Sequence, residues 1–177
     1  MLKKYALVLL FIIFIGMYTG LSPYKQNTHF SKINSNIVNG ANPYTTSTDK
    51  INPDNPDIQK YFQKVAKVPY KANYDTNAPK KPAQFWKDNY GDCDDKSAAF
   101  ADYLNRMGAE DIKIVIILHN SKKYSHCVVI WKNHVFDATA EPPLYNMEQT
   151  KYFNYLKKMG FNLQITYPYT YYKKSYL

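Results

Sequence analysis

Residues 92–108 constrain the fold of this chain more than any other stretch. Asp92 has the short side-chain oxygen that can accept a first-turn N–H, so it reads as an N-cap. Asp94 and Asp95 then fall at the positive end of the helix macrodipole and Arg106 at its negative end. Cys93, Ser97, Phe100, Leu104 and Met107 share one face, with the helix formers Ala98 and Ala101 beside them. Gly108 can take the left-handed conformation that ends a helix. The spacing predicts a helix over residues 93–107 that begins on a cysteine. Such a helix must bury its apolar face against other structure.

The residues that follow supply a sheet. Residues 112–118 are almost continuously apolar and read as a buried strand. A turn at residues 120–123 leads to a second strand over 126–131. Lys132-Asn133 makes a two-residue hairpin turn, and 134–139 form a third strand that Glu141-Pro142-Pro143 ends. A helix over 147–159 is stopped by Gly160. A last strand covers 163–169, with Pro168 marking a sheet edge. Upstream, Ile58, Phe62 and Val65 give a helical period over 57–67, closed by Pro69. Residues 82–87 form a short helix with Pro82 in its first turn. Residues 170–177 show no assignable pattern. A helix followed by an antiparallel meander predicts an α+β domain with its helices on one side of the sheet.

The hairpin fixes a register. A turn at Lys132-Asn133 sets Trp131 opposite His134, Ile130 opposite Val135, Val129 opposite Phe136 and Val128 opposite Asp137. His126 is then diagonal to Asp137 and on the same face. Cysteine, histidine and aspartate thus follow in order on helix, strand and strand. These are the residue types of a thiol nucleophile, its base and the group that orients the base. A cysteine at a helix start gains from the macrodipole, which favours thiolate. Successive helix residues lie about 100° apart, so the carboxylates of Asp92, Asp94 and Asp95 are expected to splay away from the sulfur.

The stretches Gly91-Asp92-Cys93-Asp94-Asp95, Ser125-His126-Cys127 and Phe136-Asp137-Ala138-Thr139 resemble the transglutaminase-like superfamily of cysteine enzymes. The resemblance covers residues 82–140, roughly a third of the chain. It implies a papain-like core, in which a cysteine-bearing helix packs on an antiparallel sheet, with Cys93, His126 and Asp137 as the catalytic residues. An oxyanion hole would begin with the Cys93 N–H, an unpaired donor at the helix end. A side chain just upstream would complete it. Gln84, Trp86, Asn89 and Tyr90 qualify by position, and Gln84 matches the glutamine that papain-like enzymes place there. It reads equally as an exposed residue of a short helix.

Cys93 and Cys127 are the only cysteines. Outside the membrane an even count also allows a disulfide. Adjacent strand residues point to opposite faces. If His126 faces Cys93, Cys127 faces away, so triad and bridge exclude each other. No metal is expected. Cys93, His119, His126, Cys127 and His134 lack zinc-site spacing, and residues 88–95 lack the glycine and terminal glutamate of a calcium loop. No cofactor is expected either. His119, at a strand end, and His134, at the turn, read as bystanders.

A formal charge of +9 resides almost wholly on lysine, since Arg106 is the only arginine. Sequence-specific nucleic-acid readers rely on arginine forks, so no nucleic-acid partner is expected. The charge suits anionic surfaces such as lipid headgroups, or simple solubility. Lys3 and Lys4 precede an uncharged run to Tyr24, long enough for a helix just able to span a bilayer. Residues 1–24 read as a signal anchor, or as a signal peptide whose cleavage would release the protein. Residues 25–55 are rich in Asn, Ser, Thr and Pro and read as a polar stalk. Residues 56–177 form the domain, held outside the cell membrane. The function this implies is acyl transfer on amide bonds by a cysteine peptidase or amidase of the envelope, acting on peptide or protein, cell-wall peptide included. The alternatives are a cross-linking transglutaminase and a non-catalytic envelope-binding module on the same fold.

Overall fold

Caps and turns place the elements. The computed structural model describes residues 51–72, 78–121 and 123–174. Helices α1 (Pro56–Ala66), α2 (Pro82–Asp88) and α3 (Cys93–Arg106) come first. Strands β1 (Lys113–His119), β2 (Ser125–Trp131), β3 (His134–Asp137) and β4 (Leu144–Glu148) follow. Helix α4 (Gln149–Lys158), strand β5 (Phe161–Pro168) and helix α5 (Tyr169–Lys174) complete the domain. Asn55 caps α1, and Pro82 occupies the first turn of α2. Asp92 caps α3 in a capping box with Asp95, in which each side chain accepts the other's backbone N–H. Gly108 lies at φ 87°, as expected for the residue after that helix.

The five strands form one antiparallel sheet in the order β4-β3-β2-β1-β5. Lys132 and Asn133 both take positive φ, 50° and 61°, the geometry a two-residue hairpin turn demands. The β2–β3 register is as counted from the turn: Trp131 with His134, Ile130 with Val135, Val129 with Phe136. The ladder stops there. β5 lies at a sheet edge, as Pro168 signalled.

Three expectations are corrected. The helix expected over 147–159 begins only at Gln149, because Leu144–Glu148 pairs with β3 as an edge strand. An irregularity in that pairing and a positive φ at Asn146 interrupt the alternation that would have betrayed it. Second, the helices do not share one side of the sheet. Phe62, Phe85, Phe100, Leu104 and Tyr169, from α1, α2, α3 and α5, pack with Ile114, Cys127, Val129, Trp131 and Phe136. Tyr152 and Leu156 of α4 pack on the opposite face with Val115, Ile117, Val128, Ile130 and Val135. Third, α3 is buried on every side from Asp95 to Ala101, not along one stripe. The unassigned tail begins with α5, whose Tyr169 is buried.

Residues 51–55 join the folded unit. Lys132 Nζ and Tyr145 Oη donate to the carbonyls of Ile51 and Pro53, and Asn146 Nδ2 donates to Asp54 at 2.9 Å. Among the described residues no helix is long and apolar enough to cross a membrane. The expected membrane segment over 1–24 and the stalk up to residue 50 lie outside the described residues.

Candidate active site

Asp137 ends β3, and its carboxylate is saturated with donors. Oδ1 accepts from Thr139 N, Thr139 Oγ1 and Ala140 N, each at 3.0 Å. This local turn also ends the strand two residues before its expected end. Oδ2 accepts from His126 Nε2 and from Tyr152 Oη, each at 2.8 Å. Burial alone would raise the carboxyl pKa, but His126 and these hydrogen bonds outweigh it and bring it down to about 2. A carboxylate only accepts, so Nε2 of the imidazole carries a proton and donates it in this contact. The diagonal His126–Asp137 contact counted from the hairpin is present.

Tyr152 reaches this carboxylate from α4, on the far side of the sheet, and is fully buried. Burial, then the neighbouring Asp137 charge, raises its pKa, so the hydroxyl remains a donor. The sequence offered no local sign of it. Lys96 is also buried, with Nζ donating to Ala66 O at 3.0 Å and Ala138 O at 3.4 Å. Burial lowers its pKa, while Asp137 and Cys93 oppose that fall. Its signal was available: a lysine amid the small residues of a helix's first turns has few ways to stay wet.

Cys93 stands at the first position of α3, half-buried, and its thiol takes a hydrogen bond from the backbone N–H of Cys127. It shares the neighbourhood of Tyr152 and Lys96 with Asp137. Two expectations fail here. The alternation of β2 turns Cys127 toward α3, into the core that Cys93 packs against, whereas His126 lies on the face of Val128, Ile130 and Tyr152. Cys127 therefore does not face away from Cys93, yet both thiols are free. Nor do all the carboxylates splay. Asp94 is hydrogen-bonded to Asp92, and burial plus that neighbour push its pKa well up. Burial likewise pushes the Cys93 thiol well up, with Cys127, Asp94 and Asp92 adding to the effect and the Cys127 N–H opposing it.

Gly91 is explained by sterics. A Cβ there would lie 2.7 Å from Asp95 Cβ and 2.8 Å from a Phe85 ring carbon. Asp95 is held by Lys80, whose N–H donates to Oδ1 at 2.6 Å. Oxygens of Asp92, Asp94 and Asp95 lie within 4.8 Å of one another, and this is the group among the described residues that could hold a cation.

Gln84 turns its amide along its own helix. It is exposed on α2 and donates to Asp88, because the apolar contact of that helix is made by Phe85. Trp86 Nε1 is engaged by Tyr61 Oη at 3.1 Å. His119 packs against Gly160 and Phe161, and His134 faces Asn146 O; neither joins the cluster.

No family model and no curated protein sequence matches the chain. Solved structures of Legionella pneumophila LapG do. The calcium-bound form is 19% identical with a TM-score of 0.41, over 51% of this chain and 56% of that one. The EGTA-treated form gives 19%, 0.41, 51% and 55%. A further LapG structure gives 17%, 0.43, 51% and 55%. The chain spans about half the length of these proteins.

Proposed function

We propose that this protein is a thiol enzyme of the transglutaminase-like kind that transfers acyl groups from amides, with Cys93 as nucleophile, His126 as base and acid, and Asp137 as the group that orients the histidine. The observation that carries the reading is the buried His126–Asp137 contact at 2.8 Å, with a cysteine at the start of the helix packed on the same strand. Asp137 stabilises the imidazolium that forms when Nδ1 takes a proton. The Cys93 sulfur then attacks the amide carbonyl, the amine leaves with a proton from His126, and a thioester remains. Water releases the acid in a peptidase or amidase; a lysine amine forms a cross-link in a transglutaminase. Hydrolysis is the preferred reading. The basic charge of +9 and the apolar N-terminus suit peptide or protein amides of the cell envelope, with the chain held at the membrane or secreted.

Burial and Asp94 keep the resting thiol neutral, so the proton must pass to His126 as attack begins. The same fact favours a second reading, a non-catalytic binding module on this fold. Iodoacetamide labelling across pH 5–9, with peptide mapping, separates the two. An active pair labels Cys93 faster than buried Cys127, at a rate that His126→Ala lowers. An ordinary thiol profile unaffected by His126→Ala rejects the enzyme. Incubation of a labile peptide with and without a primary amine then separates hydrolysis from cross-linking.

A further inference from the structure

The Cys127 thiol has no part in the proposed chemistry, yet the fold sets it beside the one that does. Ser97 follows Cys93 by one helical turn and faces the same way. Its Oγ donates to the Cys127 carbonyl at 3.1 Å in a fully buried contact. The first turn of α3 is thereby fastened to β2 at residue 127. The Cys93 thiol accepts the Cys127 N–H, and both side chains pack in one apolar cluster. Cys93 is partly buried and Cys127 is buried, and both are free.

We propose that Cys93 and Cys127 form a reversible disulfide that switches the site off. The proposal rests on the reading of Cys93 as the nucleophile and adds its regulation. The oxidant is a small-molecule disulfide. Cys93 is the less buried of the two residues, so its thiolate attacks one sulfur of the oxidant, and the other sulfur leaves and takes a proton. The thiolate of Cys127 then attacks the Cys93 sulfur of the mixed disulfide and expels the second small thiol. Two protein thiols are oxidised, one external disulfide is reduced to two thiols, and both protons leave with them. A sulfur committed to the bridge cannot attack a carbonyl. The Ser97 bond ties α3 to the Cys127 carbonyl four residues from Cys93, which restrains helix movement during closure. An external dithiol reverses the reaction.

The test uses the full chain, reduced, desalted and incubated with oxidised glutathione. It is then unfolded in N-ethylmaleimide and mapped by mass. The expected product has both cysteines lost together to one internal disulfide, no glutathione retained, and Cys93 alkylation abolished until dithiothreitol restores it. In Cys127→Ala, which keeps the backbone N–H, glutathione stays on Cys93. Wild-type protein that retains glutathione on Cys93 with Cys127 still free for maleimide overturns the proposal, whatever the variant does. Rapid alkylation of reduced Cys93 without bridge formation rejects the switch and leaves the nucleophile standing. A bridge formed under diamide in a protein whose reduced Cys93 alkylates slowly rejects the nucleophile and leaves a structural pair. Neither reaction rejects both.

Discussion

Asp137→Asn tests the centre of the site through stability alone. Asp137 titrates at about 2 in the folded protein against an ordinary 3.8. At about 1.4 kcal/mol per pKa unit, the ionised carboxylate contributes about 2 kcal/mol. The side chain is 2% exposed, so solvent screening does not reduce this. The folded pKa is depressed, so the contribution is complete above the unfolded pKa and is lost as pH falls through about 2. Asparagine removes it at every pH. It also points an amide N–H₂ at donors, His126 and Tyr152 on one side or Thr139 and Ala140 on the other, which costs roughly 1–3 kcal/mol more. Urea unfolding followed by tryptophan fluorescence gives both stabilities. The gap between wild type and variant should be about 3–5 kcal/mol at neutral pH and should narrow by about 2 kcal/mol between pH 5 and pH 2. The other carboxylates are common to both proteins and cancel. A gap that stays constant through that window would refute the assignment of a buried, ionised, multiply bonded carboxylate.

Tyr152→Phe should lose roughly 1–3 kcal/mol and move acid unfolding to higher pH, because one of the bonds that holds the Asp137 pKa down is gone; an unchanged acid midpoint in circular dichroism contradicts this. Asp94→Asn should stabilise the domain at neutral pH, since a carboxyl with a raised folded pKa costs stability once pH passes its unfolded value. The gain should vanish in acid, and Cys93 should alkylate faster without the neighbouring charge; equal stability at neutral pH and an equal labelling rate would show that Asp94 exerts no such pressure. Gly91→Ala should cost roughly 1–3 kcal/mol in urea midpoint, as its Cβ meets Asp95 and Phe85; a neutral effect would mean that the loop before α3 yields freely.

Much of this fold was legible because its signals are local. Asp92, Gly108 and the period between them determine α3 whatever lies around it. A two-residue turn with both residues at positive φ permits one register, so Lys132-Asn133 determines the pairing of β2 with β3 and, through it, the approach of His126 to Asp137. β4 was hidden because an irregular five-residue edge strand leaves little alternation to read. The side of the sheet that α4 covers was hidden for a different reason. An amphipathic period says which face of a helix is apolar, not which face of a sheet receives it.

The same distinction governs the site. Counting from the hairpin places His126 and Asp137 on one face of the sheet, but nothing in that count says which face α3 covers. α3 covers the other, and this inverts the expected orientation of Cys127. The cysteine and the histidine–aspartate pair come from opposite faces, on either side of the point where β3 has left β2, beyond the last pair Val129–Phe136. There the Cys127 N–H is open to the Cys93 thiol, and Asp137 can take a hydroxyl from α4 while Lys96 of α3 reaches Ala138 O next to it. A carboxylate at the end of a short strand is within reach of both layers of helices, whereas one in mid-strand would be confined to a single face. The early end of β3 at the Asp137–Thr139 turn is therefore what lets Asp137 and Ala138 reach both layers. Residues such as Tyr152, distant in sequence and supplied by the second layer, leave no trace in any local pattern because their role depends on that junction alone.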